Sequence, residues 1–354
     1  MNKKNNEIIY FFHNNKKRIN LIHILVTKQI FKYAKKILPF IGVILLIIYI
    51  LLKEDINEIK NAFLAIRPIY IILALTLTIP RVLIRNMAWQ MILKEQKIFI
   101  GYWKSLKIFL IGYFYGSFTP GYVGQLMRIP YLKEKTGEPY GKLFVNSTIE
   151  TTVHTISMYI VIFFCSIFFI DRFPDIFILI SIWCAFLFIT ILFFISKKRG
   201  EKLLFGLTKY LLPKKIKLES KQFISTFYKD FPNIRRLIIP GLIVSITWII
   251  IFSQEYIFIL ALGVEIPYFY FLFLFPIANA AGFIPITFAG LGTREITAVF
   301  IFTTLFPHIQ SHDVLVVSLM GFIITDISTG FVGFLLSLTE TKYDRKKILD
   351  LRDE

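Results

Sequence analysis

Four arginines and four carboxylates sit inside otherwise apolar stretches of this 354-residue chain: Arg81, Arg85, Arg128 and Arg294 against Glu150, Glu255, Glu295 and Asp326. A charge at mid-bilayer costs roughly 2.5–3.5 kcal/mol on insertion scales, so each of these groups must face protein, water or an anion rather than lipid. Two chemistries are open to such a set. It can close on itself as ion pairs that hold a helical bundle together, or its arginines can take a phosphate through paired, charge-assisted hydrogen bonds. Arg81 and Arg85 are four residues apart and share one helix face with Trp89. Pro80 predicts a kink just before them.

The other two arginines each close a Gly-rich break. The first runs from Ser117 to Arg128, SFTPGYVGQLMR, and the second from Thr287 to Glu295, TFAGLGTRE. Pro120, Gly121, Val123 and Gly124 correspond to Ala289, Gly290, Leu291 and Gly292. Glycine lets a backbone turn and come close to a ligand, and proline stops an incoming helix. The freed amides at a helix start are a place for an anion. Matching breaks in two halves of a membrane protein point to a transport site, whereas either break alone is equally a tight helix connection.

The elements that must position these groups are membrane helices. The chain is 56% hydrophobic and 18% charged, with mean hydropathy +0.65, more apolar surface than a soluble fold can hide. The apolar runs are continuous and of helical length, which excludes an outer-membrane barrel. The net charge of +18 resides in loops between apolar spans, so it reads as cytoplasmic loops facing anionic lipid rather than as nucleic-acid binding. Cys165 and Cys184 lie in apolar segments and read as small hydrophobes. No cleavable signal peptide is expected, since a basic leader precedes the first apolar run near Ile37.

The expected order is a basic cytoplasmic leader over 1–36, a membrane domain over 37–338 and a cytoplasmic tail over 339–354. In the first half (37–195), spans are expected at about 37–52, 69–93, 143–170 and 176–195, with a mixed-charge loop over 53–67 and a re-entrant hairpin over 105–132. A cytoplasmic linker over 196–236 carries twelve lysines and arginines and reads as two amphipathic pieces split at Pro213. In the second half (237–338), spans at about 237–262 and 314–338 flank apolar limbs at 268–286 and 291–306, which form a second hairpin or two crossings. The fold class is thus an all-α polytopic membrane protein of about six full spans plus two re-entrant or broken hairpins, about eight to ten apolar helical segments in all. Loop charges put the two halves in an inverted-topology repeat with both termini cytoplasmic.

No HExxH, GxSxG or Walker sequence occurs, and neither metal nor cofactor is expected. His154, alone on its helix, reads as a packed or interfacial histidine.

The two breaks resemble a flippase-like membrane family that includes the N-terminal region of bacterial lysylphosphatidylglycerol synthases. Its first signature, PGxxGExxR, is similar to Pro120, Gly121, Gly124 and Arg128, with Gln125 in place of the acid. Its second, PGGxGxRE, is similar to Gly290, Gly292, Arg294 and Glu295, with Ala289 in place of a proline. An ER..D pattern on the next helix is matched only by Glu150, with Thr151 and His154 at the other places. The resemblance covers about residues 37–338. It implies movement of a charged-headgroup lipid between leaflets of the plasma membrane, the cargo being an anionic phospholipid or a polyprenyl-phosphate-linked lipid. The residues expected at the substrate are Arg81, Arg85, Pro120, Gly121, Gly124, Gln125, Arg128, Glu150, Gly290, Gly292, Arg294, Glu295 and Asp326. The chain ends at Glu354, shortly after Leu338, so the family's aminoacyl-transferase domain is expected to be absent. Two other classes compete: a membrane enzyme acting on a lipid phosphate or lipid-linked glycan, with Glu150 and Glu295 as general acid and base, and a scaffold that binds a partner through its linker.

Overall fold

The computed structural model describes residues 40–195, 199–203, 206, 229, 231–283, 287 and 290–339, and among them there is no β-strand. The leader 1–36, the linker break at Pro213, Ala289 and the tail beyond Thr339 lie outside the described residues.

The first half consists of α1 (Ile41–Lys53), α2 (Ile56–Ala65), α3 (Pro68–Glu95), α4 (Tyr102–Ser117), a 3-10 turn (Val123–Met127), α5 (Arg128–Thr136), α6 (Tyr140–Ile167) and α7 (Pro174–Ile195). After a short 3-10 turn (Ile234–Leu237), the second half holds α8 (Ile238–Ala261), α9 (Tyr268–Gly282), α10 (Thr293–Leu305), α11 (Ser311–Phe322), a π-turn (Ile323–Ile327) and α12 (Ser328–Thr339). Pro68 and Pro174 open α3 and α7, where a missing N–H costs nothing. Gly137, at φ 72°, closes α5, the conformation glycine adopts most readily.

Four continuous helical stretches are long and apolar enough to cross a bilayer: Pro68–Glu95, Tyr140–Ile167, Ile234–Ala261 and Ser311–Thr339. Shorter apolar helices occupy Ile41–Lys53, Pro174–Thr190 and Tyr268–Gly282. The exterior agrees with lipid contact. Ile44, Leu45, Ile48 and Leu52 on α1, and Ile178, Leu179, Ile182 and Phe186 on α7, are all exposed. An apolar surface of that extent on a water-soluble protein would aggregate.

One expectation changes. The mixed-charge segment 53–67 is not a loop: it contains α2, whose first turn is capped by Asp55 accepting from the Asn57 amide at 2.7 Å. α3 runs through Pro80 as one helix to Glu95.

Packing is organised around α8, which lies along α3 and against α6, α9 and α11. A phenylalanine ladder fills the second half, with Phe271 stacked on Phe275 at 4.7 Å and Phe302 on Phe306 at 6.3 Å between ring centres. A separate core around Trp89, Phe109, Ile111 and Leu132 supports the first break. The chain ends cross between halves: α1 packs on α10, and α12 packs on α4. Both contacts are close at glycine. A side chain on Gly333 would strike the Leu110 carbonyl, and one on Gly292, at φ 92°, would strike that of Gly42.

Candidate functional site

All eight charged side chains within the apolar segments are buried. α6 presents its polar residues at helical spacing, so Asn146, Ser147, Glu150, His154 and Ser157 form one inward stripe. Glu150 accepts from two arginines at once: Arg85 Nη2 donates to Oε1 at 3.1 Å and Arg128 Nη2 to Oε2 at 2.7 Å. The Arg128 guanidinium also lies 5.0 Å from the Trp89 ring centre, and Trp89 Nε1 donates to Asn146 Oδ1 at 2.9 Å.

The two break arginines are held in the same way. Arg128 donates from Nε to Ser147 Oγ at 3.2 Å and from Nη2 to the Ser147 carbonyl at 3.1 Å. Arg294 donates from Nε to Ser318 Oγ at 3.1 Å and from Nη2 to the Ser318 carbonyl at 3.0 Å. Each arginine's Cβ faces a helical glycine on the limb before its break: a methyl on Gly112 would lie 3.1 Å from Arg128 Cβ, and one on Gly282 would lie 3.4 Å from Arg294 Cβ. The pattern of limb glycine, helix-opening arginine and next-helix serine therefore occurs twice. The partner acid differs. Arg294 bonds its chain neighbour Glu295 at 2.7 Å, and Glu295 turns back to accept from the Gly292 amide at 2.6 Å, satisfying one free amide at the start of α10.

Both breaks turn through left-handed backbone, at Gly121 (φ 58°) and at Gly290 (φ 79°). At Gly290 an added Cβ would lie 2.8 Å from Gly282 Cα, so glycine lets the break lie directly on α9. Gly124 serves another purpose. Its amide donates to Thr119 Oγ1 at 2.7 Å, and a side chain there would collide with the Tyr115 carbonyl. Tyr122, unusually for a non-glycine residue, has φ 56°, and its hydroxyl donates to Asp326 Oδ1 at 2.9 Å.

The breaks converge on one cavity of about 280 Å³, with Gly121, Tyr122 and Gln125 from the first and Gly282 and Arg294 beside the second in its wall. Arg81, Arg85, Tyr113, His154, Trp248, Glu255, Thr325 and Asp326 are also in its lining. Arg81 Nη2 donates to the Thr325 carbonyl at 3.0 Å and to Thr329 Oγ1 at 2.7 Å. Asp326, on the π-turn, accepts from Tyr113 at 3.0 Å and Thr325 at 2.9 Å as well as from Tyr122. Among the described residues, the Nε atoms of Arg81 and Arg85, His154 Nε2 and Glu255 Oε2 are buried without a hydrogen-bond partner. Buried donors and acceptors of this kind are uncommon and call for a ligand, a water or an ion.

The expected site residues thus separate into two groups. Arg81, Arg85, Gly121, Gln125, Arg294 and Asp326 reach the cavity. Arg128, Glu150 and Glu295 lie behind it in ion pairs, while Gly124, Gly290 and Gly292 shape the turns and Pro120 lies outside the lining. Sequence reasoning passed over Tyr113 and Tyr122, and it counted Glu255 without giving it a role. His154 is packed as expected, 4.4 Å from the Trp248 ring, and its face also borders the cavity. Among the described residues no cluster of His, Cys, Asp or Glu could hold a metal ion.

A search of curated proteins gives no match. The model of the family described as "Lysylphosphatidylglycerol synthase TM region" matches residues 36–333, in keeping with the two break signatures. The chain is therefore a multi-pass membrane protein of the lysylphosphatidylglycerol synthase TM-region family, a membership that links it to lipid metabolism or transport.

Proposed function

We propose that the protein is a lipid flippase whose cavity holds the phosphate-bearing headgroup of a membrane lipid while the two broken hairpins pass it between leaflets. The observation that carries this reading is the pair of unpartnered arginine Nε donors in a wall shared by both breaks. A phosphate oxygen is the acceptor a buried guanidinium binds best, and the cavity has room for a headgroup. An anionic phospholipid or a polyprenyl-phosphate-linked lipid fits this chemistry. The doubled arginine clamp supports an inverted repeat, in which one hairpin enters from each face and rocking of one half against the other exposes the cavity alternately. The sidedness of the basic loops supports cytoplasmic termini and a plasma-membrane location. Glu150 and Glu295, the acids an enzymatic reading needs, spend their oxygens on arginines, which favours transport over chemistry.

Vesicles containing the purified protein and a fluorescent phosphatidylglycerol test this. Loss of fluorescence to an impermeant quencher should proceed past the outer leaflet with the wild type. It should slow about tenfold or more in Arg81→Gln, the loss expected when a hydrogen bond to a charged group is removed. Equal rates in protein-free, wild-type and variant vesicles would refute the reading.

A further inference from the structure

Four carboxylates are buried in the membrane domain, and three of them are satisfied as anions. Glu150 holds two arginines, Glu295 holds Arg294 and the Gly292 amide, and Asp326 accepts from three hydroxyls. Glu255 differs. Its Oε2 has no hydrogen-bond partner and it forms no ion pair among the described residues, although it is 1% exposed and borders the cavity. Its carboxyl lies in a notch left by Gly321, where an added methyl would come within 2.6 Å of Oε1.

The titratable groups near it come from four elements: α3 brings Arg81 and Arg85, α6 brings His154, α10 brings Arg294 and Glu295, and the π-turn brings Asp326. α9 offers the neutral Asn279, and α11 offers only Gly321. Arg85 and Arg128 share a single acid, Glu150, whereas Arg294 and Arg81, the latter bonded to the Thr325 carbonyl and Thr329, stand with Glu295, Glu255 and Asp326. The eight charges sum to zero but are divided, with positive excess around Glu150 and negative excess on the α8 and π-turn side.

We propose that Glu255 is a proton-binding site that loads together with the anionic headgroup. The inference rests on the lipid-binding reading above. A phosphate monoanion entering among these eight buried charges, which sum to zero, leaves one uncompensated negative charge in a medium that solvates it poorly. One proton on the Glu255 carboxylate cancels that charge at the only buried acid, among the described residues, not already committed to a partner. The step is a plain acid–base exchange. Hydronium or a buffer acid on the loading side loses an O–H bond and leaves water or the buffer base, an O–H bond forms on a Glu255 carboxylate oxygen, and on the other side that bond breaks and the proton passes to water as the headgroup leaves. Proton and anion thus travel together, so a proton gradient can drive the lipid.

The measurement is calorimetric titration of the full-length protein in detergent with dihexanoyl-phosphatidylglycerol, repeated near neutral pH in two buffers of different ionisation enthalpy. Wild type should take up about one proton per headgroup bound. Glu255→Gln should bind the lipid with uptake near zero, and Asp313→Asn, outside the cavity lining, should keep the uptake. Dihexanoyl-phosphatidylcholine, which brings its own positive charge, should bind without proton uptake if it binds at all. Binding of phosphatidylglycerol to wild type with no proton uptake would overturn the coupling and leave the lipid site standing. Uptake that survives in Glu255→Gln or vanishes in Asp313→Asn would place the proton elsewhere and overturn the assignment. No binding by wild type would overturn both the coupling and the lipid site.

Discussion

Arg128 and Arg81 show how differently two membrane arginines can be used. Arg128 is committed to Ser147, Glu150 and the Trp89 ring and lies outside the cavity lining. Removing it strands a shared carboxylate, and breaking a buried pair from one side costs about 3–5 kcal/mol. Arg128→Ala should therefore lower thermal stability in detergent markedly. Arg128→Lys should fail to restore it, since an ammonium cannot reproduce the forked donation from Nε and Nη2. Arg81 instead lines the cavity with a buried Nε that has no hydrogen-bond partner among the described residues, and Arg81→Gln should affect lipid movement far more than melting. If the two substitutions shifted stability and transport in the same proportion, this division of labour would be wrong. Tyr122→Phe should act like Arg81→Gln at smaller scale, because it removes one of the three hydroxyl donors to Asp326 while keeping the ring.

At the level of elements, the breaks depend on glycines that fulfil different demands. Gly292 combines φ 92° with contact against the Gly42 carbonyl, so Gly292→Ala should destabilise by about 1–3 kcal/mol from backbone strain alone, and more as α1 is pushed off the break. Gly137 has a similar φ but open space around it. Gly137→Ala should cost only about 1 kcal/mol, and unfolding of the two variants side by side separates strain from collision. Equal losses would mean that α1 does not rest on the second break. Much of this was legible in the chain. Continuous apolar runs announce α3, α6, α8 and the α11–α12 stretch, and Pro120, Gly121, Gly290 and Gly292 announce the breaks. α2 was not legible, because its ten residues are amphipathic and mixed in charge, and what marks it is the single cap at Asp55. The π-turn at Ile323–Ile327 leaves no sequence mark either, yet it carries Asp326 in the cavity wall. Such turns recur at functional sites.

Across the whole molecule, the site is assembled by contacts between residues far apart in sequence. Arg81 reaches Thr325 and Thr329, and Tyr113 and Tyr122 reach Asp326, each joining the first half to the second. Periodicity along one helix cannot report such pairings, which is why the sequence offered eight charges as a single set and left open which ones bind and which ones brace. Glu255 shows the limit best. In the chain it is one acid among apolar neighbours, and only the fold shows that the others have partners and it has none. The central claim is that this one cavity, built by both breaks, opens to each side of the membrane in turn. Thr155 lines it and bonds only along its own helix, so a Thr155→Cys variant with Cys165 and Cys184 replaced by alanine reports on access. An impermeant maleimide applied to sealed, oriented vesicles should label that cysteine from either face, and added phosphatidylglycerol should slow both reactions. Labelling from one face only, at a rate the lipid does not change, would contradict the account.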